Sequence, residues 1–277
     1  MKISDRLVKR FPGATVLVAV CLVTACDKSP VTWRDDARQI PMPAAGDEGA
    51  VPADARLVLH ADGSAALESI ARTGSLPADT AACLASFRTS ALSSTEIYSV
   101  WWSRRTGGRA ALLSARSDDA GGTWTAPVPV DTTDRGTTAC ERPAPAIAAD
   151  AKSGYVHVTY FLTSPGGPGV FFSHSMERGE LFHSPVPIMY GDRPAATAVA
   201  AADSVVIVAF EDPNSQRSQI AIAMSHTWGH IFSRERPEAS VGTPVAERPL
   251  VALRAPLIAV GWHGNDRAVV ARVGTIK

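Results

Sequence analysis

The stretch Ser117-Asp118-Asp119-Ala120-Gly121-Gly122-Thr123-Trp124 recurs down the chain in weaker form, at a spacing near fifty residues. The second copy is Ser175-Met176-Glu177-Arg178-Gly179-Glu180-Leu181-Phe182. The third is Ser225-His226-Thr227-Trp228-Gly229-His230-Ile231-Phe232, which has lost the carboxylate. Serine and aspartate oxygens accept hydrogen bonds from the free N–H groups of a tight turn, and glycine supplies a left-handed backbone position. The closing aromatic covers the hairpin. A unit of this kind joins strand to strand. Repetition at a fixed period means that several similar small sheets must share one architecture.

Reading backward from these turns, four segments open with arginine: Arg88-Thr89-Ser90, Arg142-Pro143-Ala144, Arg193-Pro194-Ala195 and Arg248-Pro249-Leu250. They lie 54, 51 and 55 residues apart. Each arginine is followed by a short strand of small apolar residues. Second strands, rich in β-branched and aromatic residues, are expected at 96–102, 155–161, 204–210 and 257–262. Third strands are expected at 110–115, 169–174, 219–224 and 268–273. In the first three repeats the turn leads into a fourth strand, such as 124–130, whose prolines suit a solvent-facing edge. The fourth repeat ends at Lys277 before its own fourth strand. Thr32-Trp33 with Ile40-Pro41-Met42-Pro43 reads as that missing strand, so that one end of the chain completes what the other began. The competing reading makes 27–55 a tether only. Residues 56–87 match no repeat and form either a degenerate fifth unit or an insertion over one face.

The eight-residue turn resembles the Asp box of sialidase-like β-propellers, in which Ser117, Asp119, Gly121, Thr123 and Trp124 are structural and lie on the outer rim. The resemblance implies an all-β propeller of four to five blades, each a four-stranded antiparallel sheet, because the chain is too short for the six blades of sialidases. It also implies that Arg88, Arg142, Arg193 and Arg248 point toward one end of the central axis. There, planar guanidinium groups would pair with a carboxylate, as the sialidase arginines do. Phe87-Arg88 is similar to the start of the sialidase F-R-I-P motif, with Thr89-Ser90 in place of Ile-Pro. The alternative is a ring of ion pairs, since Glu141, Asp192 and Glu247 directly precede three of the arginines. Sialidase chemistry further requires an acid/base aspartate and a tyrosine activated by glutamate. Tyr98, Tyr155, Tyr160 and Tyr190 all fit packing positions, and Glu211 and Asp212 read as a solvated strand end, the alternative being that they face the pocket.

Residues 1–25 have the three zones of an export signal: Lys2, Arg6, Lys9 and Arg10, then an apolar run at 14–23, then Thr24-Ala25. Val23-Thr24-Ala25-Cys26 resembles a bacterial lipobox, with Cys26 as the lipidated residue and the membrane as partner through that lipid. Asp27 resembles an inner-membrane retention signal. The other reading is an ordinary secretory signal or an uncleaved anchor. The organisation expected is therefore a signal at 1–25, a tether with closing strand at 26–55 and a propeller at 56–277, held on the periplasmic side of a bacterial envelope. Without the signal, 23 basic residues face 26 acidic ones, and no basic run offers a surface for nucleic acid. Cys83 and Cys140 remain, to pair in an oxidising compartment or to stay as buried thiols. The seven histidines are scattered singly, with no metal-ligand spacing, and no cofactor is expected. The functional expectation is a non-catalytic module for an acidic ligand, an acidic glycan or an envelope partner protein. The alternatives are an exo-sialidase-type glycoside hydrolase acting on acidic sugars and an envelope scaffold.

Overall fold

The computed structural model describes residues 29–34, 37–41, 55–69, 74–241, 248–263 and 268–277. The export signal, Cys26 and most of the expected tether lie outside the described residues. The strands in chain order are β1 (Val31–Trp33), β2 (Arg38–Ile40), β3 (Ala55–Leu59), β4 (Ala65–Ser69), β5 (Arg88–Ala91) and β6 (Ile97–Arg104). Next come β7 (Ala110–Ser117), β8 (Val128–Asp131), β9 (Ala146–Ala149), β10 (Val156–Ser164), β11 (Gly167–Ser175) and β12 (Val186–Tyr190). The last six are β13 (Thr197–Ala202), β14 (Val205–Glu211), β15 (Ile220–Ser225), β16 (Leu250–Arg254), β17 (Leu257–His263) and β18 (Val269–Ile276). They form five antiparallel sheets: β3-β4, β5-β6-β7-β8, β9-β10-β11-β12, β13-β14-β15 and β16-β17-β18-β1, with β2 also paired to β18. This is an all-β propeller built from consecutive blades.

In the four repeats the second strands β6, β10, β14 and β17 and the third strands β7, β11 and β15 are buried on both faces, which explains why 96–102 and its counterparts read as near-continuous apolar runs. Neighbouring sheets stack and share a core. Val100, Trp102 and Leu112 of one blade meet Val158, Tyr160 and Leu162 of the next. Phe161 and Phe172 meet Val208 and Phe210. Ile207 and Ile222 meet Ile258 and Trp262, and Leu250 and Ala259 meet Leu57 and Leu67. The face of the β5–β8 sheet carrying Trp101 and Leu113 is covered differently. Leu76 and Ala82, from the segment between β4 and β5, pack there with Phe87 and Trp124. Residues 56–69 are thus a blade reduced to one hairpin, and residues 74–87 form a cover rather than further strands.

The blades are unequal: the third repeat departs from the expected four-stranded plan, the last is completed from the N-terminal side as expected, and the first is the degenerate unit. Among the described residues the third repeat has no fourth strand. Residues 237–239 make a single bridge to β15, with Ile222 N–H donating to Pro237 O at 3.1 Å and Ala239 N–H to Ile220 O at 2.7 Å. The approach run Arg234-Glu235-Arg236-Pro237 is charged and ends in a residue without an N–H. The fourth repeat is completed, as expected, by N-terminal residues, which form two short strands. Val31 to Trp33 pair with Ile276 to Gly274, and Arg38 to Ile40 pair with Ala271 to Val269. Among the described residues the first blade has two strands.

The three eight-residue turns share one geometry. Gly121, Gly179 and Gly229 each donate an N–H to the serine four residues earlier, at 2.8, 3.0 and 3.1 Å. The residue before each glycine, Ala120, Arg178 or Trp228, is left-handed, with φ between 49° and 57°. Asp119 accepts from Thr123 N–H at 2.7 Å and from Thr123 Oγ1 at 2.8 Å. Thr227 fills the same post in the third turn, its hydroxyl accepting from Ile231 N–H at 2.9 Å. Sequence reading saw a lost carboxylate there. The structure shows a hydroxyl making the bond that matters.

Candidate functional site at the axis

The first strand of each blade, β3, β5, β9, β13 and β16, faces the centre. Small residues in three of them (Thr-Ser-Ala in β5, Ala-Ile-Ala-Ala in β9, Thr-Ala-Val-Ala in β13) let the strands approach one axis. Two contiguous cavities result. The near one, about 140 Å³, is walled by the beginnings of all five strands. The far one, about 670 Å³, is walled by their ends. All five strands therefore run the same way along the axis. The register places the three eight-residue turns at the far end, because Ser117 pairs with Ile97 at the start of β6. The arginines that open the repeats stand at the near end.

The structure divides those four arginines. Arg88 and Arg248 line the near cavity. Arg88 donates to the carbonyls of Phe87 (2.7 Å) and Ala85 (3.1 Å), and Arg248 to that of Ala55 (2.9 Å). Arg142 turns away into the protein. Its guanidinium meets the Asp134 carboxylate at 2.7 Å with both side chains at most 5% exposed, and it lies 5.9 Å from the Trp102 ring centre. Arg193 donates to Asp212 O (2.6 Å) and Ser215 O (3.0 Å) and lies 3.5 Å from Glu211. Neither Arg142 nor Arg193 lines the near cavity. The expected fourfold convergence thus narrows to two, and two of the expected acid partners are replaced as well, while Glu247 lies outside the described residues. Glu141 and Asp192 are exposed, because adjacent residues of extended chain point to opposite sides. Glu211, read from sequence as a solvated strand end, is 5% exposed and accepts from Ser218 Oγ at 3.0 Å.

The tyrosines are committed elsewhere. Tyr98 is fully buried and donates to Glu96, whose carboxylate is also held by the Arg178 guanidinium. Burial first, and the hydrogen bond to Glu96 second, push the Tyr98 hydroxyl above its ordinary range, while Arg178 holds Glu96 below the usual carboxylate range. This Tyr–Glu pair stands at the far end of the blade, away from Arg88. Tyr160 is buried and donates to Asp131 at 2.7 Å, and burial raises its pKa well above the ordinary value. Tyr155 stacks on His174 at 6.0 Å, and Tyr190 is half exposed.

Cys83 and Cys140 are joined by a disulfide that ties the cover segment to the approach of Arg142. Sequence reading missed one cluster entirely. His157, His174, His183 and His230, distant in sequence, gather at the far end beside the core shared by the third and fourth blades. His183 and His230 each lie within 5 Å of His174, ring centre to ring centre. Only strand register reveals it: His157 pairs directly with His174. Among the described residues no group of three or more histidine, cysteine or acidic side chains is arranged to hold a metal ion. Nor is any described helix long and apolar enough to cross a membrane.

No family model matches the chain, and no curated protein matches it. Solved structures do. A Hadza microbial sialidase is similar over 69% of this chain and 46% of its own, at 14% identity and a TM-score of 0.49. The NanB sialidase of Streptococcus pneumoniae is similar over 68% and 49%, at 12% identity and a TM-score of 0.46. A family 117 glycoside hydrolase from Zobellia galactanivorans is similar over 76% and 66%, at 13% identity and a TM-score of 0.42. The chain spans about half the length of the two sialidases. At such identities the likeness is one of fold.

Proposed function

We propose that this chain is an exported, lipid-anchored propeller that holds an acidic ligand, the carboxylate of a glycan or of an envelope partner protein, at the near end of its axis without turning it over. The observation that carries this reading is the placement of Arg88 and Arg248 on one small cavity with largely apolar walls, where a guanidinium–carboxylate contact is strengthened by the low local polarity. At about 140 Å³ the cavity matches an acid group rather than a whole sugar, since small-molecule sites occupy roughly 300–1,000 Å³. Binding is favoured over turnover by the state of the tyrosines. Tyr98 has a glutamate partner, but both are buried at the far end, and its hydroxyl is harder to ionise than a free phenol. Export and anchoring rest on the residues before Asp27, and the ligand then belongs to the envelope space.

Calorimetry of the mature chain with sialyllactose, run beside a fluorogenic sialoside assay, tests the proposal. The expected result is binding without turnover, weakened at least tenfold by Arg88→Ala and by Arg248→Ala. Turnover abolished by Arg88→Ala would establish the hydrolase instead, and binding indifferent to both substitutions would remove the near cavity from consideration. Palmitate labelling of the full chain, lost in Cys26→Ser, tests the anchor.

A further inference from the structure

The far cavity is a second place where a ligand fits, and its origin is architectural. Four of the five junctions between blades are filled by a shared core. At the fifth, between the two-stranded first blade and the β5–β8 sheet, the cover segment packs on the Trp101 face, and the ends of β3 and β5 border open volume together with Leu76 and Trp124. About 670 Å³ is of the size that takes a small organic ligand.

Its walls combine three chemistries. Trp124 is half-buried and held in place by its indole N–H, which donates to Ser75 O at 3.0 Å, so a rigid aromatic surface borders the cavity. Thr89 and Ser94 carry hydroxyls that make no side-chain hydrogen bond among the described residues. Arg254, at the exposed end of β16, has no ion pair among the described residues, whereas its neighbour on the wall, Arg56, is paired with Glu68 at 3.1 Å. An aromatic plane accepts the C–H face of a ring, hydroxyls exchange hydrogen bonds with a polyol, and a guanidinium pairs with a carboxylate.

From this we infer that the far cavity is a saccharide site that takes a sugar ring bearing a carboxylate, with Arg254 as its anion contact and Thr89 and Ser94 as hydroxyl partners. Arg254, Ser94 and Trp124 border the far cavity alone, whereas Thr89 borders both cavities. Calorimetry with trigalacturonate and with the uncharged maltotriose tests it on the mature chain, on Arg254→Ala, on Thr89→Val and on Arg88→Ala, each first checked for an unchanged melting temperature. Trigalacturonate is expected to bind the unaltered chain at least tenfold more tightly than maltotriose does. Arg254→Ala should remove most of that difference, Thr89→Val should weaken both sugars a fewfold, and Arg88→Ala should leave trigalacturonate binding in place. Absence of trigalacturonate binding, equal affinity for the two sugars, or binding that survives Arg254→Ala would overturn the inference. Loss with Arg88→Ala but not with Arg254→Ala would assign the acidic ligand to the near end and overturn it equally.

Discussion

At the scale of single residues, burial has decided which ionisable groups stay silent. His157 is fully buried with neither ring nitrogen hydrogen-bonded, and Nε2 of buried His174 is likewise without a partner. Burial, then the neighbouring histidines, pushes their pKa values down to about 3 and about 4, with Asp150 opposing the shift at His157. An unfolded chain protonates both as pH falls through about 6.5, whereas the folded chain does not until far lower. Stability is therefore full above that point and falls as pH drops from about 6.5 toward 4, by about 1.4 kcal/mol per pH unit for each group once past its unfolded pKa. Urea unfolding at a series of pH values checks this, and His174→Phe should flatten the slope by about one proton's worth. None of this was legible in the sequence, where the histidines stand singly, because the cluster is made by the pairing of β10 with β11 and by the third eight-residue turn coming alongside. The arginine register, by contrast, was legible as a position along each strand. Which way each side chain turns was not, since that depends on acids such as Asp134 that lie outside the repeat pattern.

Among the elements, the eight-residue turn shows how a motif erodes while its geometry persists. The serine is common to all three copies, and its hydroxyl satisfies the N–H of the glycine four residues on. Ser117→Ala leaves that buried donor unpaired and should cost about 1–3 kcal/mol, with Ser225→Ala costing a similar amount, both read from urea midpoints. A left-handed residue precedes the glycine in every copy, so the third turn is the same object as the first despite its missing aspartate. Strand positions were readable for a related reason. Burial on both faces leaves a run of β-branched and aromatic residues, and the expected second and third strands coincide with β6, β10, β14 and β17, and with β7, β11, β15 and β18, to within a few residues. The fourth strands were less readable. They are edges, sparsely buried, and the one at 237–239 loses its ladder to proline and charge.

At the scale of the whole molecule, the blades differ in completeness, and the last of them draws on both ends of the chain. Removing residues 1–41 deletes β1 and β2, uncovers the outer edge of β18 and exposes part of the core around Ile258 and Trp262 that Val31 seals. A shortened chain is expected to melt at a lower temperature and to associate through the freed edge, as calorimetry and light scattering would show. Sequence reading leaves segment 56–87 between a degenerate fifth unit and an insertion over one face, and the structure divides it: a hairpin forms the reduced blade and the remainder covers Trp101. The closing pair has a mechanical meaning too. Val31 lies opposite Ile276, and Lys277 donates its N–H to Pro30 O at 3.0 Å, so the chain enters and leaves the last sheet side by side. A tug applied between those two points would peel the hydrogen bonds open one at a time, like a zip. It would not slide the strands past each other against all the bonds at once, and so this seam should be the first to part under tension.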